Sequence, residues 1–119
     1  MADNLVANKS YSFAIDTINI YKYLTKKNEY VLSKQLLRSG TSIGANIREA
    51  TDGQSKKDFL SKMNIALKEA KETEYWIELL FETNYLEHNL HNNYLLKCKE
   101  LCRILNSIVK STKDSLNIE

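Results

Sequence analysis

Apolar residues recur along most of this chain at intervals of three and four, the spacing that aligns side chains on one face of an α-helix. Four segments carry the pattern, at about residues 8–26, 30–52, 56–84 and 89–114, separated by three short polar breaks. In the first, Phe13, Thr17, Ile20 and Leu24 form one stripe and Tyr11, Ala14, Ile18 and Tyr21 a second, so this helix is apolar over a broad arc. In the second, Leu36, Gly40, Ile43, Ile47 and Ala50 make a narrow seam of small residues, and Gly53 supplies the expected C-terminal cap. Ser55 with Asp58 resembles a capping box opening the third helix. There Phe59, Met63, Ala66, Ala70, Thr73, Ile77 and Leu80 repeat in four-three steps, the spacing of a packed bundle seam. The fourth turns Cys98, Leu101, Leu105, Ile108 and Thr112 inward, with Leu95, Cys102 and Val109 beside them. Connections this short force consecutive helices to run in opposite directions. The predicted fold is all-α: one domain over residues 1–119, an antiparallel up-down-up-down four-helix bundle.

Two features refine that picture. Gly40 and Gly44 stand inside the second helix, where a glycine costs roughly 1 kcal/mol against alanine, so a neighbouring helix is expected to approach closely there. On the third helix Leu60, Ile65, Leu67, Trp76, Leu79 and Phe81 lie off the main seam. That is more apolar surface than one stripe needs, and it predicts self-association through the flanks of this helix.

Composition narrows the function classes. A chain of 119 residues buries a core without disulfides or metal, and the absence of proline suits long unbroken helices. No apolar run approaches the roughly 18 residues of a membrane span, and the first residues lack the order of a signal peptide, so the expected location is cytoplasmic and no membrane partner is expected. The net charge of +2 identifies no partner, but it is unevenly placed. Residues 1–68 carry eleven Lys/Arg against six Asp/Glu, whereas residues 69–87 carry six Glu against one Lys.

The polar residues offer no catalytic constellation. Cys98 and Cys102 lie one turn apart as two small core thiols, while His88 and His91 read as exposed near a helix start. His91 and Cys98 are about 10 Å apart along a helix, too far to share one ion, so no metal or cofactor is expected. Neither histidine has an evident partner for nucleophilic catalysis, and Gly40-x-x-x-Gly44 lacks the lysine of a phosphate loop. Glu78 and Glu74 of the third helix read as partners of Lys97, Lys99 and Arg103 across an antiparallel turn. On the second helix Arg38, Ser42, Asn46 and Glu49 form a polar stripe, open to two readings: a solvated face, or an inter-helix network that fixes register through Arg38, Asn46 and Glu49. One basic cluster remains. Lys22, Lys26, Lys27, Lys34 and Arg38 face a single acid, Glu29, with Tyr23 and Tyr30 nearby, a candidate nucleic-acid surface.

The segment Arg38-Ser39-Gly40-Thr41-Ser42-Ile43-Gly44-Ala45-Asn46-Ile47-Arg48-Glu49-Ala50, followed by Asp58-Phe59 and by Ala66 to Trp76, carries the pattern R-S-x-x-S-I-x-x-N-I-x-E-A. It closely resembles the four-helix-bundle family encoded within intervening sequences of bacterial 23S ribosomal RNA genes. The likeness covers nearly the whole chain, and where many relatives continue N-I-A-E-G or N-I-E-E-A this chain has Arg48. The resemblance implies an up-and-down bundle that assembles as a ring-like homo-oligomer, commonly a pentamer, without enzymatic activity. A related branch is the accessory protein of diversity-generating retroelements, which works beside a reverse transcriptase and nucleic acid. The expected function is that of an RNA or ribonucleoprotein accessory protein; the competing class is a protein-interaction scaffold that binds no nucleic acid.

Overall fold

Four helices account for the regular structure of residues 2–117, the part that the computed structural model describes: α1 (Ala2–Lys26), α2 (Leu32–Thr51), α3 (Lys56–Glu82) and α4 (His88–Ser115). Each helix packs against the next, and α4 returns to α1. The extents of 47 × 23 × 22 Å are one long helix by two helix diameters, as expected of four helices side by side around one core. Along the α1/α4 seam the pairings run in opposite senses, Lys9 meeting Glu100 and Asp16 meeting Lys97.

Helix ends are set by polar residues at the breaks. After α1, Asn28 takes a left-handed conformation (φ 65°), and the N–H groups of Asn28 and Glu29 return to the carbonyls of Thr25 and Leu24. After α3 the same closure recurs at Asn84 (φ 67°), with Asn84 and Tyr85 bonding back to Phe81 and Leu80. Asn117 repeats the left-handed turn beyond α4. Asparagine is the residue other than glycine that enters this region most readily. Gly53, by contrast, is not left-handed: α2 ends through Asp52, whose N–H bonds Arg48, and the expected glycine cap is corrected accordingly. At the start of α3, Ser55 accepts from the Asp58 N–H at 3.1 Å, as the capping-box reading expects.

Phe13, Leu24, Leu36, Ile43, Ile47, Met63, Ile77, Leu80, Leu101 and Leu105 fill the core. The paired glycines have the role that their cost implied. A Cβ on Gly40 would lie 2.6 Å from Thr17 Cγ2, and one on Gly44 would lie 3.3 Å from the Ser10 carbonyl oxygen, so α1 rests directly on the backbone of α2. Thr17 donates to the Phe13 carbonyl at 2.8 Å and is left to accept from the Tyr94 hydroxyl, which ties α1 to α4 inside the core. Tyr94 also stacks on Phe13, with ring centroids 4.6 Å apart.

On α1 the core takes Phe13, Thr17, Ile20 and Leu24, while Tyr11 and Ile18 of the other stripe remain exposed with Ile15. On α3 the extra apolar positions belong largely to the chain itself. Leu60 and Leu67 are buried in the core, because α3 must cover both α2 and α4 and so needs two stripes. Trp76 packs half-buried, and Leu79 and Phe81 are partly covered; Ile65 alone of the six is exposed. Leu60 and Leu67 are therefore corrected from interface candidates to core residues.

Candidate nucleic-acid interface

The sequence places a basic cluster around the α1/α2 turn, and the turn's own geometry decides which charges face outward. Glu29, the single acid between Lys22 and Arg38, folds back to cap α2. Its carboxylate accepts from the N–H groups of Leu32 at 3.1 Å and Ser33 at 2.6 Å, and the Ser33 hydroxyl donates to its carbonyl at 2.8 Å. Only 7% of Glu29 is exposed. A carboxylate at a helix N-terminus satisfies orphan donors and meets the positive end of the macrodipole, so its charge is used within the fold.

Arg38, expected both in the basic cluster and in the polar network of α2, takes the second place. Its guanidinium reaches across to α3, donating to Glu69 at 3.1 Å and to Glu72, which also accepts the Trp76 indole N–H at 2.8 Å. One helix turn of register is thereby fixed between α2 and α3. Asn46 bonds only its own helix, to the Ser42 carbonyl, while Glu49 pairs with Lys62 of α3 at 3.4 Å. The polar stripe of α2 is thus an inter-helix seam at its two ends. Between them Thr73 Oγ1 lies 2.9 Å from Ser39 Oγ in the buried interior.

Lys22, Lys26 and Lys34 are exposed and form no ion pair among the described residues. Lys27 is also exposed; its ammonium lies 4.7 Å from the Tyr23 ring centre and donates to the Tyr85 carbonyl at 3.3 Å. Glu82, the last residue of α3, and Glu87, just before α4, are exposed and confine the positive surface to the α1/α2 side. Tyr30, which falls between Lys26 and Lys34 in the sequence, has 53% of its surface exposed.

Elsewhere the geometry corrects the ion pairs read from sequence. Glu78 is taken by His91, Oε1 to Nε2 at 2.6 Å, and Lys97 pairs with Asp16 instead, at 2.9 Å. His91 is buried against the Phe81 ring, with centroids 3.8 Å apart, and is neither exposed nor without a partner. A signal was present: stepping back seven residues from Cys98 reaches His91 on the same seam. Cys98 and Cys102 are free thiols. The hydrogen bond with Cys102, and then burial, hold the Cys98 thiol protonated well above its ordinary range, which makes it a poor nucleophile.

A groove of about 590 Å³ between α1 and α2 is lined by Tyr11, Ala14, Ile18, Gly44, Ala45 and Arg48, among others. Glu49 and Asp52 stand with Arg48 along its α2 side.

A four-helix protein with one apolar core, an ion-paired α2/α3 seam and lysines at one turn is the class of molecule that these features define. The chain belongs to the 23S rRNA-intervening sequence protein family, whose sequence profile matches residues 2–107. It is similar to a crystal structure of a protein of unknown function from the S23 ribosomal protein family of Bacteroides thetaiotaomicron VPI-5482. The identity is 52%, with 92% of this chain and 99% of that chain covered and a TM-score of 0.90. No curated protein matches the chain. No helix of the described residues is long and apolar enough to cross a membrane.

Proposed function

We propose that this protein is a non-enzymatic RNA or ribonucleoprotein accessory protein, cytoplasmic, which holds RNA through Lys22, Lys26, Lys27 and Lys34. The observation that carries this reading is the fate of Glu29: the one acid in the segment is turned inward to cap α2 and forms no ion pair with the exposed lysines around it. Membership in a family named for ribosomal RNA intervening sequences supports RNA as the polyanion. The working form is a ring of antiparallel bundles, five by the resemblance to relatives, in which one turn's charge is repeated around an axis and its field is multiplied.

Binding of this kind is salt-dependent, because each neutralised phosphate releases counterions. Replacing Lys22, Lys26 and Lys34 with Glu is expected to lower RNA affinity at least about tenfold and to flatten the salt dependence, with the helical signal unchanged. Equal affinity for both proteins would overturn the reading. A second reading, a scaffold that grips a protein, is favoured by the apolar α1/α2 groove and gains ground if no RNA is retained even at low salt.

A further inference from the structure

The α1/α2 turn is closed by hydrogen bonds, and it leaves the Tyr30 ring outside. Asn28 closes α1 in a left-handed turn, Glu29 is locked beneath α2, and the Tyr30 hydroxyl donates to Asn28 Oδ1 at 2.8 Å. The ring is therefore held in place while 53% of the residue stays exposed, and Val31 beside it is 72% exposed. A side chain that is already ordered loses little freedom when a ligand arrives, so an exposed, tethered ring is a prepared contact surface. The other tyrosines are placed differently. Tyr23 is half-buried with Lys27 over its face, Tyr11 lies in the mid-bundle groove with Arg48, and Tyr75 is surrounded by Lys71, Glu74 and Glu78. Among these tyrosines Tyr30 alone is an exposed ring with a lysine on either side in the chain that forms no ion pair among the described residues, Lys26 four residues before it and Lys34 in the first turn of α2.

We infer that Tyr30 stacks on an unpaired base while Lys26 and Lys34 hold the flanking phosphates, so that this surface selects single-stranded RNA over duplex. The inference rests on the RNA reading above and names the class of RNA. In a duplex the base faces are already stacked on one another and only phosphates and sugar hydroxyls are within reach, whereas a single strand offers its bases to an aromatic ring.

The test is fluorescence anisotropy with a short labelled oligoadenylate and an RNA duplex of the same length, on the full chain. Tyr30→Leu keeps the bulk and removes the ring; it is expected to weaken oligoadenylate binding roughly 5- to 100-fold and to leave the duplex unaffected. Tyr30→Phe keeps the ring but loses the hydroxyl's bond to Asn28, so its affinity is expected to fall between those of the parent and of Tyr30→Leu. Replacing Lys22, Lys26 and Lys34 with Gln weakens both ligands. Oligoadenylate binding that survives Tyr30→Leu, or duplex bound as tightly as single strand, overturns the inference. If the lysine variant loses binding in that case, the RNA reading stands and stacking alone fails; if it loses none, both fail.

Discussion

At Gly40 two energies oppose each other. Alanine there gains up to about 1 kcal/mol of helix propensity, but its Cβ would lie 2.6 Å from Thr17 Cγ2 and 2.7 Å from Thr17 Oγ1. Thr17 cannot turn aside, because its hydroxyl is held by Phe13 and Tyr94. Overpacking of this kind typically costs about 1–3 kcal/mol, so Gly40→Ala is expected to lower the urea midpoint despite the better helix former. Gly44→Ala meets Ser10 O at 3.3 Å, a contact that a small shift of α1 relieves, and should stay within about 1 kcal/mol of the parent. Thr17→Val leaves the buried Tyr94 hydroxyl without its acceptor and should cost about 1–3 kcal/mol; a double-mutant cycle with Tyr94→Phe should give less than the sum of the single changes. Burial also raises the Tyr94 phenol pKa far above its usual value. The folded state then holds this proton more tightly than the unfolded state, so its contribution is whole below pH about 10 and declines as pH climbs beyond that. Tyr94→Phe removes that part of the alkaline loss, a difference that urea titrations on either side of pH 10 would register.

The helices themselves were legible in the chain because their apolar repeats are long and regular, and the four-three run of α3 is the clearest case. Their ends were less so. An apolar repeat marks where a helix faces the core but says little about how it stops, and α1, α3 and α4 stop at asparagines in left-handed turns while α2 does not. An asparagine in each of the breaks after α1 and α3 was the available clue. The Glu29 cap was harder to read, since glutamate reaching forward to Ser33 has no strong local signature and its charge suggested a surface role. Its loss has a specific outcome at this scale. Glu29→Ala should destabilise the bundle by about 1–2 kcal/mol and speed amide exchange at Leu32 and Ser33 ahead of other core amides. Asn84→Gly, which relieves the left-handed cost, should do the reverse by a few tenths of a kcal/mol to about 1, seen as a raised melting temperature.

Across the whole molecule, α1 carries exposed apolar surface beside that left on α3 at Ile65 and Tyr75. A repeat read along one helix counts its apolar positions without saying how many neighbours will use them. Helix α3 contacts α2 and α4 extensively and absorbs Leu60 and Leu67, whereas α1 meets α2 closely and α4 more sparsely, leaving Tyr11, Ile15 and Ile18 60%, 48% and 41% exposed. Those three positions follow one another at steps of four and three, so they form one continuous outer stripe, and Lys22 and Lys26 extend it toward the basic turn. Self-association that covers this stripe would set the lysines of each copy beside the same edge of the assembly. Ile15→Glu with Ile18→Glu places charge on the stripe and touches nothing in the core. Sedimentation velocity is expected to give a multiple of the 13.8 kDa subunit, about five for the parent, and the subunit alone for this variant, with the circular dichroism unchanged. RNA binding should weaken with the mass, because a ring engages one strand at several turns and converts later contacts into intramolecular ones. The lysine variant should show the opposite dissociation, full mass without RNA. A parent that sediments at 13.8 kDa across the micromolar range would remove the ring, and RNA affinity would then rest on the few lysines of one turn.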